Sequence, residues 1–323
     1  MIGIGNNQLM KSSNEIFLTD DSKYRVVAKG NSIQVSSDWG VTFVQKTTTT
    51  STAYDIKISS TGQYMLLTDY NNYSKKSSNY GETWSNITTI AKNIYILVAM
   101  SGSGQYQMIT GEFADSPVWL SSNYGATWTD VGIYTIAGWR GCYISGDASY
   151  MAVADTEGVR ESTNFGVTWG SYMIENQASR IMCSNTATYR TTTHGETSAR
   201  YVKSSQNSGV SYSFPSSGVI GTHKVYLGTD MSLTGQYQFI CTYPDMKLWK
   251  SNDYGVSFTF VRTNTLQWGH TMAVSGTGQY AISGGVNGPG QYLKKTSDYG
   301  VTWTDVTSLG IGSFNAMAMN RII

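Results

Sequence analysis

Apolar residues in this chain come in short runs, separated by stretches rich in Gly, Ser, Thr, Asn and Tyr, and the runs recur in sets of four. The first run of a set, such as Tyr54-Asp55-Ile56-Lys57-Ile58 or Met272-Ala273-Val274, leads into the phrase Ser-x-x-Gly-Gln-Tyr. That phrase is clear where it ends at Tyr64, Tyr106, Tyr237 and Tyr280, and worn where it ends at Tyr24, Tyr150 and Tyr189. A second run follows, such as Tyr64-Met65-Leu66-Leu67, then a third such as Val118-Trp119-Leu120, and a fourth closes the set. Runs this short, rich in β-branched and aromatic residues, predict strands, here named A to D in each set. No segment sustains a 3.6-residue period, so almost no helix is expected.

Between strands C and D stands a second phrase, Ser-x-(Asp/Asn)-aromatic-Gly-x-(Thr/Ser)-aromatic. Its seven copies have their Asp or Asn at Asp38, Asn79, Asn123, Asn164, Asn207, Asp253 and Asp298, in steps of 41 to 46 residues. A period of that length is one four-stranded unit. Seven such units around an axis bury both faces of every sheet, which predicts an all-β, seven-bladed β-propeller of four-stranded antiparallel blades. The blades are expected near 15–46, 54–88, 94–132, 141–173, 180–214, 224–262 and 270–307, in a single domain spanning 1–323. Two segments compete to be the first blade's strand A: residues 15–19 and the C-terminal strand 314–319. The one left over could pair with a second subunit, so self-association through a terminal strand is a further expectation.

Composition narrows the function classes. Lys plus Arg number 22 against 21 Asp plus Glu, a net charge of +1, and charged residues are 13% of the chain, about half the usual share. Without a basic stripe, nucleic-acid binding is not expected. No apolar run is long enough for a membrane-spanning helix, and the first residues do not read as a signal peptide. The low-charge, hydroxyl- and amide-rich surface fits an extracellular or virion setting. Cys142, Cys183 and Cys241 lack paired spacing and read as small buried residues, not a disulfide framework. The histidines, His194, His223 and His270, lack ligand spacing, so neither a metal nor another cofactor is expected.

The second phrase resembles the Asp-box, or bacterial-neuraminidase repeat, and the resemblance covers essentially the whole chain. It implies a propeller like those of sialidases, sortilin-type receptors, xyloglucan-active glycoside hydrolases and photosystem assembly factors. The combined phrases also look like repeat proteins of phages and large DNA viruses. In this reading Asp38, Asn79, Asn123, Asn164, Asn207, Asp253 and Asp298 do structural work in tight hairpins, with the following glycine supplying a positive φ. The last aromatic of the phrase, as in Trp84, Trp128, Trp169 and Trp303, is expected to pack between blades. Sialidase activity is not expected, because no arginine stands in the Arg-Ile-Pro start which that family shows; Arg25 lies in Tyr-Arg-Val-Val.

In an A-to-D meander the A–B and C–D turns share one face of the disc, and both carry the repeated phrases. The B–C and D–A connections share the opposite face, where the repeats differ in length and chemistry. Varied loops on a uniform frame predict recognition there. The candidate ligand-binding residues are Trp139, Arg140, Trp268, His270, Tyr70, Tyr73 and Tyr243, whose aromatic and polar groups suit a glycan or a protein ligand. The expected function is non-catalytic recognition or assembly. The alternative is a glycoside hydrolase with a carboxylate pair on the same face, such as Asp69 with Glu112 or Asp155 with Glu196.

Overall fold

The computed structural model describes residues 22–321 except 92–94, 112, 136–137, 173–177, 195–200, 218–223, 244, 264–267 and 287–291; for 95–96, 178–179, 224–227, 243, 268–270 and 286 it describes the backbone only. The protein is all-β, with seven antiparallel sheets and one short 3-10 turn at Thr307–Leu309. Blade 2 shows the repeating plan. Its strands A (Ala53–Ile58), B (Met65–Asp69), C (Lys75–Ser77) and D (Ser85–Asn86) pair in sequence order, from the axis outward.

Five blades have four strands. Blades 4 and 5 have three each among the described residues: Gly141–Ile144, Met151–Asp155 and Gly158–Ser162, then Ala178–Cys183, Arg190–His194 and Tyr201–Ser205. The seven-bladed, antiparallel architecture expected from the repeats is what the structure shows, with the fourth strand of these two blades not among the described strands. In blade 5 a single bridge joins Ser213 to Ser204, and Pro215 follows without an N–H to continue a ladder. In blade 4, Gly170 N–H donates to Glu161 O at 2.8 Å just after Trp169.

The ring closes by joining the chain ends. Phe314–Met319 takes the strand A position of blade 1, paired with Arg25–Lys29 in the register Arg25↔Met319, Val26↔Ala318 and Val27↔Met317. Asn320 locks this closure: its backbone N–H reaches Tyr24 O at 3.0 Å, its side chain accepts from Tyr24 N–H at 2.6 Å, and its amide donates to Ser60 O in blade 2 at 2.8 Å. The competing segment 15–19 lies outside the described residues.

Packing confirms a closed ring. Each strand A contacts the strands A of the blades before and after it, all the way round. Seven apolar clusters fill the seams. Val26, Ile33, Ile56 and Leu67 join blades 1 and 2, for example, and Val27, Ile282, Leu293 and Phe314 join blade 7 back to blade 1. Strand B is buried on both faces, as Met65, Leu66 and Leu67 show with no exposed area. Each such side chain contributes about 1.5–3 kcal/mol. Trp84, Trp128, Trp169 and Trp303 all pack against seam clusters, as their position in the phrase implies. On the turn face, Ser60, Gly102, Gly146, Asn185 and Leu233 each donate a backbone N–H to a carbonyl of the next blade, at 2.7–3.1 Å.

Candidate functional site

The two faces of the disc are built differently. On the turn face every C–D hairpin repeats one geometry. The carbonyl of Asp38, and of its six counterparts, accepts the N–H three residues on at 3.1–3.2 Å. The two residues between have φ of 58–61° and 75–83°, as a type I′ turn requires. Positive φ therefore falls on the residue before the glycine as well, and that residue is aromatic in six copies: Trp39, Tyr80, Tyr124, Phe165, Tyr254 and Tyr299. A bulky residue adopts this conformation only when its surroundings hold it there. Two contacts do so. Its N–H donates to the adjacent A–B turn, as Tyr80 does to Gln63 O at 3.0 Å. The rings of Tyr80, Tyr124, Phe165, Tyr254 and Tyr299 meet the phrase tyrosine of the preceding blade, as in Tyr24–Tyr80, Tyr64–Tyr124 and Tyr189–Tyr254, with centroids 4.9, 4.7 and 4.3 Å apart.

The same tyrosines explain the glycine of Ser-x-x-Gly-Gln-Tyr. A Cβ on Gly62 would lie 2.4 Å from the Tyr24 ring. Where the hairpin aromatic is replaced by Ser208, the face of Tyr150 is covered instead by Arg190, 3.9 Å from the ring centroid. Arg190 is in turn paired with half-buried Glu161 at 3.0 Å.

The hairpin Asp and Asn side chains are fully employed. Asp38 accepts from Ser36 Oγ at 2.7 Å and from the N–H and hydroxyl of Thr42 at 2.9 and 2.5 Å. In the Asn copies the last bond reverses, so that Asn79 Nδ2 donates to Thr83 Oγ1 at 2.9 Å. Burial pushes the carboxyls of Asp38, Asp253 and Asp298 up, but these hydrogen bonds outweigh it and hold all three below the ordinary carboxylate value. All seven residues thus have turn chemistry to perform.

On the opposite face the predicted residues divide. Trp139 is fully buried in the seam of blades 3 and 4, and its Nε1–H donates to Ser116 O at 2.9 Å. Its ring is scaffold and has no surface to offer a ligand, which corrects the sequence expectation. Arg140, the next residue, is half-buried, with its N–H bonded to Ala154 O at 2.7 Å. Tyr70 is half-buried; it packs against the cluster containing Trp139 and stacks with Tyr54, centroids 5.1 Å apart. Tyr73 is half-buried in the same loop. Trp268, His270 and Tyr243 have their backbones in strands, with Trp268 opposite Val286 and Tyr243 opposite Lys224; their side chains lie outside the described set.

The carboxylates proposed for hydrolysis are occupied. Asp69 is buried and accepts from the N–H of Thr50 at 2.8 Å and of Ser51 at 3.0 Å. Asp155 is buried and accepts from Thr135 Oγ1, Tyr172 Oη and Glu157 N–H, each at 2.8 Å. Both anchor connections of this face. Burial and the neighbouring Asp155 push the Tyr172 hydroxyl well up. Their proposed partners, Glu112 and Glu196, lie outside the described residues. His194 is buried and stacked on Tyr201 at 4.3 Å.

Inside the ring, the strands A bring charges to the axis. Asp55 accepts from Lys57 Nζ at 2.6 Å and, across a blade boundary, from Val98 N–H at 3.2 Å. Asp230 accepts from Val274 N–H at 2.8 Å and pairs with Arg321. Arg180, on strand A of blade 5, is half-buried. Burial lowers its pKa, while the charge of Asp55 raises it and that of Arg140 lowers it again. Burial pushes the Cys142 thiol up to about 12, so it stays protonated. Sequence reasoning passed over Tyr54, Asp55, Lys57 and Arg180. The signal was an Asp-x-Lys pair inside a run otherwise fit for the innermost strand. Among the described residues no cluster of His, Cys, Asp or Glu could hold a metal ion.

This geometry defines a β-propeller protein whose two faces carry different chemistry. No family model matches the chain, and no curated protein matches it in sequence. Solved structures do match. A structure described as YCF48 bound to D1 peptide is 12% identical, with 89% of this chain and 86% of that one covered and a TM-score of 0.58. Hydrazine synthase of Kuenenia stuttgartiensis is 12% identical over 76% of each chain, with a TM-score of 0.58. An ancestral GH74 enzyme is 12% identical, with 88% of this chain but 53% of that one covered and a TM-score of 0.54. At these identities the likeness establishes the fold and nothing finer.

Proposed function

We propose that this chain is a non-catalytic recognition propeller built on Asp-box-type hairpins, which binds a glycan or protein ligand through the face formed by its B–C and D–A connections. One contrast on that face carries the reading. The two carboxylates considered for hydrolysis, Asp69 and Asp155, are buried and held by hydrogen bonds, whereas Tyr54, Tyr70, Tyr73 and Arg140 keep exposed area, as do Asp115, Glu157 and Asp245 of the same connections. Paired aromatic rings suit the apolar face of a sugar or a peptide side chain, and an arginine suits its polar or anionic groups. The low-charge composition is in keeping with a surface or virion setting, and a propeller solved with a bound peptide is a precedent for the architecture.

The test is a glycan- and peptide-array screen of the purified chain, repeated with the Tyr54→Ala/Tyr70→Ala double variant. Binding that drops at least about tenfold in the variant, with the ligand recovered intact, is the expected result. Turnover of a bound glycan would establish the hydrolase alternative, and binding unaffected by the double variant would move recognition elsewhere.

A further inference from the structure

We propose that the turn face is a self-association surface, on which a second copy of this chain docks face to face through the ring of C–D hairpins. This surface is separate from the recognition face, and a dimer of this form leaves both connection faces open.

Two exposed positions of each hairpin differ in a way that turn chemistry does not explain. The residue before the hairpin Asp or Asn is exposed and is Ser, Thr, Gln or Asn in every copy, from Ser37 to Ser297. The residue after the hairpin glycine is also exposed in every copy. Yet it is Val in five of them, Val41, Val167, Val210, Val256 and Val301, which are 47 to 84% exposed. The other two copies have Glu82 and Ala126, whose N–H groups close the turn at 3.1 Å, against 3.2 Å in the Val copies. The hairpin therefore has no need of Val, and an apolar side chain left in water gains nothing there. Four of the hairpin aromatics, Trp39, Tyr80, Tyr124 and Phe165, add rings that are 38 to 45% exposed.

These five valines and four rings amount to roughly 900 Å² of mostly apolar surface on one face, against about 800 Å² per partner in a stable interface of standard size. Apolar surface of that extent marks an interaction site. Of the residues flanking the hairpin glycines, Glu82 alone is charged, and Lys46 pairs with it at 2.7 Å. The carboxylates of Asp38, Asp253 and Asp298 are taken up within their own hairpins. Lys76 and Lys250 donate to the hairpin carbonyls of Gly125 and Tyr299 and offset them in part. No large field of one sign keeps two such faces apart. Repetition identifies the occupant. The hairpins stand on every blade of a closed ring, so an irregular partner reaches an arc of them, whereas a second ring of equal size meets them all. Repeating blades are also self-complementary about a two-fold axis in the plane of the face, the geometry of an isologous dimer.

The test is sedimentation velocity of the full chain from about 1 to about 100 µM, for the wild type, the Val167→Lys/Val210→Lys double variant, and Phe113→Lys on the connection face. Val167 and Val210 are the most exposed of the five valines and lie on successive blades, and Glu82 shows that the hairpin accepts a charge at this position. The wild type and Phe113→Lys should be dimeric at the upper concentration. The double variant should be monomeric there, or dissociate at least about tenfold more readily. A wild type that stays monomeric throughout overturns the proposal, as does a dimer that survives in the double variant or is lost in Phe113→Lys alone. Should the double variant fail to fold, oxidative footprinting of the wild type at the two concentrations decides. Protection of Tyr124 and Phe165 on concentration supports the proposal; protection confined to Phe113, or none, overturns it. A monomer that pellets with phosphatidylcholine vesicles would give the hairpins to a membrane surface, which also overturns it.

Discussion

The turn face and the connection face are made by the same strands, yet they solve different problems. On the turn face, Tyr64 stacks on Tyr124, Gly104 gives way to the Tyr64 ring, and Asn123 closes its hairpin in the same way as Asp38. The hairpin Asp or Asn recurs in all seven blades, and the glycine and the paired aromatic recur in most, with Ala148 and Ala187 at the glycine position of blades 4 and 5 and Ser208 at the aromatic position of blade 5. On the connection face, the equivalent position at the end of strand B is Asp69 in blade 2, Asp155 in blade 4 and His194 in blade 5. Asp69 and Asp155 share one role, holding the preceding D–A connection, and His194 does not. Uniformity therefore marks where the ring holds itself together, and variation marks where the chain is free to acquire a ligand.

Four substitutions sharpen or break this contrast. The largest effect is expected from Trp139→Ala, which empties a fully buried slot between blades 3 and 4. It should cost about 3–5 kcal/mol in denaturant unfolding; a loss below about 1 kcal/mol would mean that Trp139 is no part of the frame. Next comes Gly104→Ala on the turn face. There φ is +78° and the new Cβ would meet the Tyr64 ring at 2.7 Å, so about 2 kcal/mol should be lost. Tyr70→Ala on the connection face removes a half-buried ring and should cost about 1 kcal/mol of stability, while weakening ligand binding.

The smallest effect at neutral pH is expected from the triple change Asp38→Asn, Asp253→Asn and Asp298→Asn. Asn already closes four of the seven hairpins with one bond reversed, so stability at pH 7 should stay within about 1 kcal/mol. Its signature is in acid. These carboxyls titrate lower in the folded protein than their ordinary value of 3.8, so the ionised form is favoured by folding. Their contribution is complete above about pH 5 and is lost as pH falls through the folded values. The triple variant should therefore show a shallower loss of Tm between about pH 5 and pH 2 than the wild type. An unchanged acid limb would remove these three residues from the account.

Much of the frame was legible in the sequence because it is repeated. A phrase occurring seven times can be aligned with itself, and its Ser, Asp/Asn, Gly and Trp have one physical role each. The positive φ of Tyr80 and its counterparts was not legible, because the chain marks that position only as aromatic. It follows from the contact with the previous blade's tyrosine, a relation between repeats. Trp139 was misplaced for a related reason. It lies in a variable connection, and variability alone does not distinguish a ring turned outward from one filling a seam. The closure of blade 1 by Phe314–Met319 was foreseen as one of two options. The close approach of two inner strands at Gly141, against the backbone of Arg180 and Ile181, is a further relation that spacing along the chain does not reveal.

The most direct measurement compares two tyrosines on opposite faces. Tyr70 is half-buried on the connection face and Tyr124 is exposed on the turn face, each stacked on another tyrosine. With whatever ligand the array screen returns, titration calorimetry of Tyr70→Ala and Tyr124→Ala reads the two faces independently. Recognition through the connection face predicts at least about a tenfold loss of affinity for Tyr70→Ala and no change for Tyr124→Ala. A loss confined to Tyr124→Ala would contradict it and place the ligand on the repeated hairpins.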